Sequence, residues 1–144
     1  MKEQNYNCSI TANTSAHKAF HGINHVNEWW AKNFEGKTEK QNDVFTVHFG
    51  DTFVTFKVAE SVPDKKISWH VTDCYLPWLN DKTEWNNTDV VFEILAENNS
   101  TKINFTHIGL QPQVECYDTC VKGWDQHIKG SLLQLITEGK GMPQ

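Results

Sequence analysis

The sequence predicts an α+β domain: a curved antiparallel sheet of about seven strands closing around one long C-terminal helix, with two short helices after the first strand. Three observations lead there. Apolar and polar residues alternate from residue 36 to residue 110, which is the period of half-buried strands. Short turn signals (Gly50-Asp51, Pro63-Asp64, Asn98-Asn99) punctuate that stretch, so neighbouring strands pair antiparallel. Beyond Pro112 the period changes, and Tyr117, Cys120, Trp124, Ile128 and Leu135 fall on one helical stripe. A lone helix with so many large residues on one face needs a wide apolar surface to lie against.

The elements follow in order. Residues 6–12 alternate loosely and carry β-branched side chains, a first strand. Thr14 or Ser15 can cap a helix that runs through Ala16, Ala19 and Phe20. Gly22 is expected to interrupt it, leaving a second piece over 23–31 that ends in Trp29-Trp30. Strands are expected at 44–49, 52–62 and 65–72, then a loop over 73–82 containing Pro77, then long strands at 83–96 and 100–110. Val54, Phe56, Val58, Ile67, Trp69 and Val71 share the inner face. Val90, Phe92, Ile94, Ile103 and Phe105 continue it. Lys57, Glu60, Ser68, Glu93, Lys102 and Asn104 take the outer face. The last helix runs to about Glu138, where Gly139 suits a left-handed cap. With no linker, repeat or low-complexity tract, residues 1–144 read as one domain.

Composition narrows the function. Apolar residues make up 38%, with six Trp and eight Phe, and large rings both fill cores and line pockets for small apolar ligands. The net charge is −5 and all 13 basic residues are Lys. Bidentate readout of phosphate or guanine is therefore absent, and no nucleic-acid partner is expected. No run approaches the ~18 apolar residues of a membrane span. Residues 1–13 are polar rather than signal-like, so a cytoplasmic protein with free Cys8, Cys74, Cys116 and Cys120 is expected.

Two segments carry a family resemblance: Phe105-Thr106-His107-Ile108-Gly109-Leu110, and Cys116-Tyr117-Asp118 leading through Cys120 to Gly123-Trp124. Trp29-Trp30, Val58-Ala59-Glu60-Ser61-Val62-Pro63, Ile67-Ser68-Trp69 and Ser131-Leu132 add to it. In this ordered set the chain resembles the SRPBCC superfamily, also called START-like or helix-grip. Within it the chain is most similar to the C-terminal domain of the activator of the heat-shock-protein-90 ATPase. The resemblance covers nearly the whole chain. It implies a helix-grip fold with a cavity between sheet and helix. That superfamily mixes ligand carriers, cyclases, hydrolases and co-chaperone domains, so fold does not fix function.

The candidate site follows from that cavity. Trp69, His107, Tyr117 and Trp124 are polar-tipped groups on or beside the apolar face, where buried Trp, Tyr and His need hydrogen-bond partners. Phe92, Phe105, Cys120 and Ile128 complete the expected inner contacts, and Trp85, with Trp78, is expected to wall the mouth. For all of them the alternative is a filled core. His107 could bond a ligand carbonyl or carboxylate, or act as an acid/base; a core His satisfied by the protein is the competing reading. Cys116 and Cys120 read as two packed thiols, since no further ligands complete a zinc site. His17, His21 and His25 read as a solvated face, so no metal or cofactor is expected. No phosphate loop, Gly-x-Ser-x-Gly elbow or His-Glu-x-x-His motif occurs. The expected function is binding of a hydrophobic or amphipathic small molecule, lipid-like or polyketide-like. The alternatives are a co-chaperone-type module that binds a chaperone, and, ranked below both, a cyclase- or hydrolase-like enzyme.

Overall fold

Among the described residues seven strands join into one antiparallel sheet, five of them within the stretch of two-residue period. The computed structural model describes residues 5–144. Strand β1 (Tyr6–Ala12) is followed by helices α1 (Ala16–Asn24) and α2 (Val26–Trp29). Strands β2 (Asn33–Gly36), β3 (Val44–Phe49), β4 (Thr52–Val62), β5 (Lys66–Tyr75), β6 (Asp89–Ala96) and β7 (Thr101–Ile108) come next. The sheet order is β1-β7-β6-β5-β4-β3-β2. The chain ends in a continuous helix made of α3 (Tyr117–Trp124), a π-helical segment (Asp125–Leu132) and α4 (Leu133–Glu138). Gly139 closes it at φ 83°, the left-handed cap.

The curvature has a local cause. The β4–β5 register slips between Thr55 and Phe56 and again between Val58 and Glu60. The first slip leaves Thr72 of β5 unpaired and the second leaves Ala59 of β4 unpaired, and an extra residue bends its strand and increases the twist. The inner-face residues named from the sequence are all buried, Phe56, Trp69, Phe92 and Phe105 with no exposed surface. Trp29 packs edge-on against Phe92, with ring centroids 6.2 Å apart. Tyr6 on β1 donates a hydrogen bond to the Asp125 carboxylate, pinning the edge strand to the π segment. Burial first, then that carboxylate, push the phenol far above its ordinary range.

Three expectations fail, each for a physical reason. Gly22 does not interrupt α1; the break falls at His25, at φ −85°, ψ 64°. Gly22 is instead a contact glycine, because a Cβ there would lie 2.5 Å from Ile136 Cγ2 on α4. Ser15 does cap the helix, its Oγ accepting from Lys18 N at 3.1 Å. Residues 83–88 are not strand. Asn87 has φ 66°, a left-handed conformation that Asn tolerates and a ladder does not. Strand β5 instead runs on to Tyr75, past the expected start of the loop. The short edge strand β2 was not anticipated, since four residues are too few to show a period. Gly22→Val is expected to lower stability by about 1–3 kcal/mol through overpacking against α4. Urea unfolding measures it.

Candidate functional site

The inner face of the sheet and the C-terminal helix meet tightly on one side and part on the other. On the β6–β7 side the seam is filled by Phe92, Ile103, Phe105, Ile128 and Leu132, all fully buried. Towards β3 and β4 a cavity of about 320 Å³ opens. Its sheet wall is Phe49, Thr52 and Val54. Leu76, Trp78 and Trp85, from the connection between β5 and β6, form a second wall. The helix contributes Thr119, Cys120, Gly123, Trp124, Gln126 and His127. Trp30 and Gln144 close the remaining side.

Each wall is held by its own bonds. The 76–88 connection is braced to the start of α3. Glu84 carboxylate oxygens accept from the backbone N–H of Glu115 (2.8 Å) and Cys116 (2.9 Å). The Glu115 carboxylate accepts in return from Asn80 N at 3.0 Å. An acidic side chain at a helix N-terminus satisfies orphan donors there and suits the helix dipole. Gln144 N donates to Trp30 O (2.9 Å) and Lys32 N donates to Gln144 O (2.9 Å), so the C-terminal segment lies strapped beside Trp30. Ser131 fixes the same strap. Its Oγ donates to Trp29 O and accepts from Met142 N, both at 2.6 Å.

Gly123 is the position that leaves the space. It lines the cavity in mid-helix, and a Cβ there would meet nothing within 4 Å. A glycine inside a helix costs roughly 0.5–1 kcal/mol relative to alanine. Gly22 and Gly123 therefore differ: one permits contact and the other preserves a void.

The polar groups divide into satisfied and open ones. Trp124 Nε1 donates to His107 Nδ1 at 3.0 Å. An indole N–H can only donate, so His107 carries its proton on Nε2. That nitrogen donates to Thr88 Oγ1 at 2.9 Å. The Thr88 hydroxyl then donates to Trp85 O at 2.6 Å. The chain is complete, and burial pushes the His107 pKa down to about 3. His107 is thus a neutral core residue with both nitrogens occupied. It does not line the cavity, and the acid/base role considered from the sequence has no free nitrogen to work with. The open groups are Trp85 Nε1 and His127 Nδ1, both buried atoms without a hydrogen-bond partner, on residues of the cavity wall. Burial lowers the His127 pKa to about 4. Trp69 Nε1 is also without a partner, but Trp69 lies behind Trp30, the two rings stacked at 6.4 Å.

Of the residues named from the sequence, Trp85, Cys120 and Trp124 line the cavity, and Trp78 stands half-exposed at its mouth. Trp69, Phe92, Phe105, His107 and Ile128 are core, and Tyr117 packs against the core from a half-buried position. They sit on the expected face, but on its filled half. Sequence reasoning missed Trp30, Gly123 and His127 as wall residues. Trp30 and Gly123 were visible only as parts of the family resemblance. His127 lies off the α-helical stripe, and the π segment, a rare form concentrated at functional sites, begins just before it.

Cys116 and Cys120 are joined as a disulfide, with Cα atoms 5.5 Å apart, rather than held as two thiols. Cys116 stands at the N-cap of α3, so the pair spans the first turn at a separation ordinary for a disulfide. Cys8 and Cys74 are free, and burial pushes both thiols up, which keeps them weak nucleophiles at neutral pH. Among the described residues no cluster of three His, Cys, Asp or Glu side chains is placed to hold a metal. No described helix is long and apolar enough to cross a membrane.

No protein-family model matches the chain, and no curated protein matches it. Solved structures do. The Aha1 dimer from Colwellia psychrerythraea superposes with a TM-score of 0.79 at 22% identity, over 96% of this chain and 99% of that one. Protein MLL2253 from Mesorhizobium loti gives 0.74 at 15% identity, over 96% and 100%. DynU16, a protein of the dynemicin biosynthetic locus, gives 0.70 at 12% identity, over 97% of this chain and 49% of its own. At these identities the likeness carries the fold and nothing finer: the chain has the helix-grip fold.

Proposed function

We propose that the protein binds a compact hydrophobic or amphipathic small molecule in the cavity between sheet and C-terminal helix. The observation that carries this is Gly123, a helical residue whose missing side chain leaves open space in an aromatic-lined wall. About 320 Å³ lies at the small end of the ~300–1,000 Å³ range of ligand sites. A polyketide-like ring compound fits that size better than a long acyl chain. The chain then acts as a carrier, and a cytoplasmic location belongs to the same proposal; the Cys116–Cys120 disulfide is unusual for a reducing compartment and counts against that location.

The test is extraction and mass spectrometry of the purified protein, followed by titration of the recovered compound against intrinsic Trp fluorescence. Trp30, Trp78, Trp85 and Trp124 all line the cavity, so occupancy is expected to change emission strongly and saturably. Absence of both a co-purifying compound and any saturable change with ring compounds would remove the carrier reading.

The interaction-module reading has one support, the likeness to the Aha1 structure. It predicts that the protein stimulates the heat-shock ATPase, and an unchanged ATPase rate on addition of the protein contradicts it. The cyclase- or hydrolase-like reading loses its base, since His107 is enclosed.

A further inference from the structure

Away from the cavity, the outer face of α1 carries His17 and His21, and His25 stands at its C-cap, all three exposed. From the sequence they read as a solvated face, with Gly22 expected to break the helix among them. Two features of the structure change that reading. The helix runs unbroken to Asn24, so His17 and His21 are i, i+4 neighbours on one helical surface. A carboxylate from elsewhere in the chain also joins them. Asp64, in the turn between β4 and β5, lies 3.1 Å from His17 Nδ1.

That contact decides which nitrogen is available. A carboxylate only accepts, so His17 Nδ1 donates to it and Nε2 keeps its lone pair. An imidazole held by a carboxylate through one nitrogen is the usual setting of a metal-bound histidine. The second ring stands close to where a shared ion needs it. With nitrogen–metal bonds of about 2.0–2.1 Å, two imidazoles on one ion have centroids roughly 4.5–5 Å apart. The His17 and His21 centroids are 4.4 Å apart. His25 does not fit the same geometry: its ring is 6.3 Å from that of His21 and stacked on it, and its Nδ1 is occupied by His21 O at 2.7 Å. His17 has 67% of its side chain exposed, and exposed rings turn freely, so both nitrogens can close on one ion while water fills its remaining positions. A two-nitrogen chelate of this kind does not need the three-ligand cluster that is absent among the described residues.

We propose that His17 and His21 chelate one divalent cation of the zinc, nickel or copper class, with Asp64 as the positioning residue. Imidazole suits these ions, whereas magnesium and calcium take oxygen ligands. The chelate requires the folded helix, so binding stabilises the fold by mass action.

The test is calorimetric titration of the untagged full chain with nickel, zinc and magnesium chloride at pH 7, with thermal unfolding run beside it. Nickel and zinc are each expected to bind at one equivalent and to raise Tm, and magnesium to do neither. His17→Gln and His21→Gln should each weaken nickel binding by at least about tenfold, and Asp64→Asn by about tenfold. Asp64 has φ 63°, a left-handed conformation that Asn also adopts, so Asp64→Asn should keep the turn and leave Tm without metal unchanged. His25→Gln should leave nickel affinity unchanged. Absence of nickel and zinc binding in the wild type overturns the proposal, and so does binding that survives in His17→Gln or His21→Gln. Magnesium binding as tight as nickel makes the site a carboxylate one and overturns it as well. A loss in His25→Gln as large as in His17→Gln contradicts the assigned pair. Undiminished affinity in Asp64→Asn removes Asp64 from the site.

Discussion

Acidification from pH 6.5 to pH 3 is expected to remove about 5 kcal/mol of folding stability through His107 alone, whose pKa falls from 6.5 to about 3 on burial. Above pH 6.5 the imidazole is neutral in both folded and unfolded chains, and its full contribution is present. Below pH 6.5 the unfolded chain takes up a proton that the folded chain refuses, because protonation would charge a fully buried ring and break the bond from Trp124. Stability is therefore lost steadily down to about pH 3, where the folded form also titrates. His127, lowered to about 4, acts in the same direction, muted by its partial exposure. About 5 kcal/mol is a large share of the ~5–15 kcal/mol that holds a domain folded. The control is His107→Gln, which cannot titrate. At pH 7 the variant should be less stable by about 1–3 kcal/mol, having lost a matched donor–acceptor pair. As pH falls the gap should close, since only the wild type carries the proton penalty. Urea unfolding at pH 7, 5 and 4 reads both curves. A gap that stays constant with pH would contradict the neutral, enclosed His107.

Trp124→Ala is expected to cost about 3–5 kcal/mol, the range for emptying a buried large ring, and to lower Tm by on the order of 10 °C. Trp124 is 2% exposed and meets Trp30 at 5.0 Å and Phe105 at 4.6 Å. It is also the donor that fixes the His107 tautomer. Removing it strands His107 Nδ1 and merges the ligand cavity with the core. Trp124→Phe separates the two effects, because it keeps most of the packing and loses only the N–H. Its cost should be about 1–3 kcal/mol. A Phe variant as stable as wild type would mean the hydrogen-bond chain contributes nothing net.

How much of this was legible in the sequence differs by element. The strands at Tyr6–Ala12, Val44–Phe49 and Thr52–Val62 were readable to the residue, because β-branched and aromatic residues alternate between clear turn signals. The end of the last helix was readable because Gly139 has one good role there. Residues 83–88 were misread, since Trp85 and Thr88 look like strand residues while local Asn chemistry makes them a turn. Gly22 was misread because a helical glycine that serves a contact 114 residues away leaves no local trace. The candidate site was half legible. Periodicity identifies which face is inner, but whether that face is filled or open depends on the two slips between β4 and β5, the π segment and the strap around Gln144. None of these has a periodic signature.

The account comes down to the open space in front of Gly123, and substituting that residue tests it most directly. Gly123→Leu should fill the cavity from the helix side, since a Cβ at that position meets nothing within 4 Å. Folding stability should hold or rise by about 0.5–1 kcal/mol, the usual gain on replacing a helical glycine. The measurement is binding of the compound recovered by extraction to this variant and to wild type, with urea unfolding run alongside. A folded, equally stable variant whose affinity falls at least tenfold is the predicted result. Undiminished affinity in that stable variant would contradict the claim that ligand occupies the gap between the sheet and the helix.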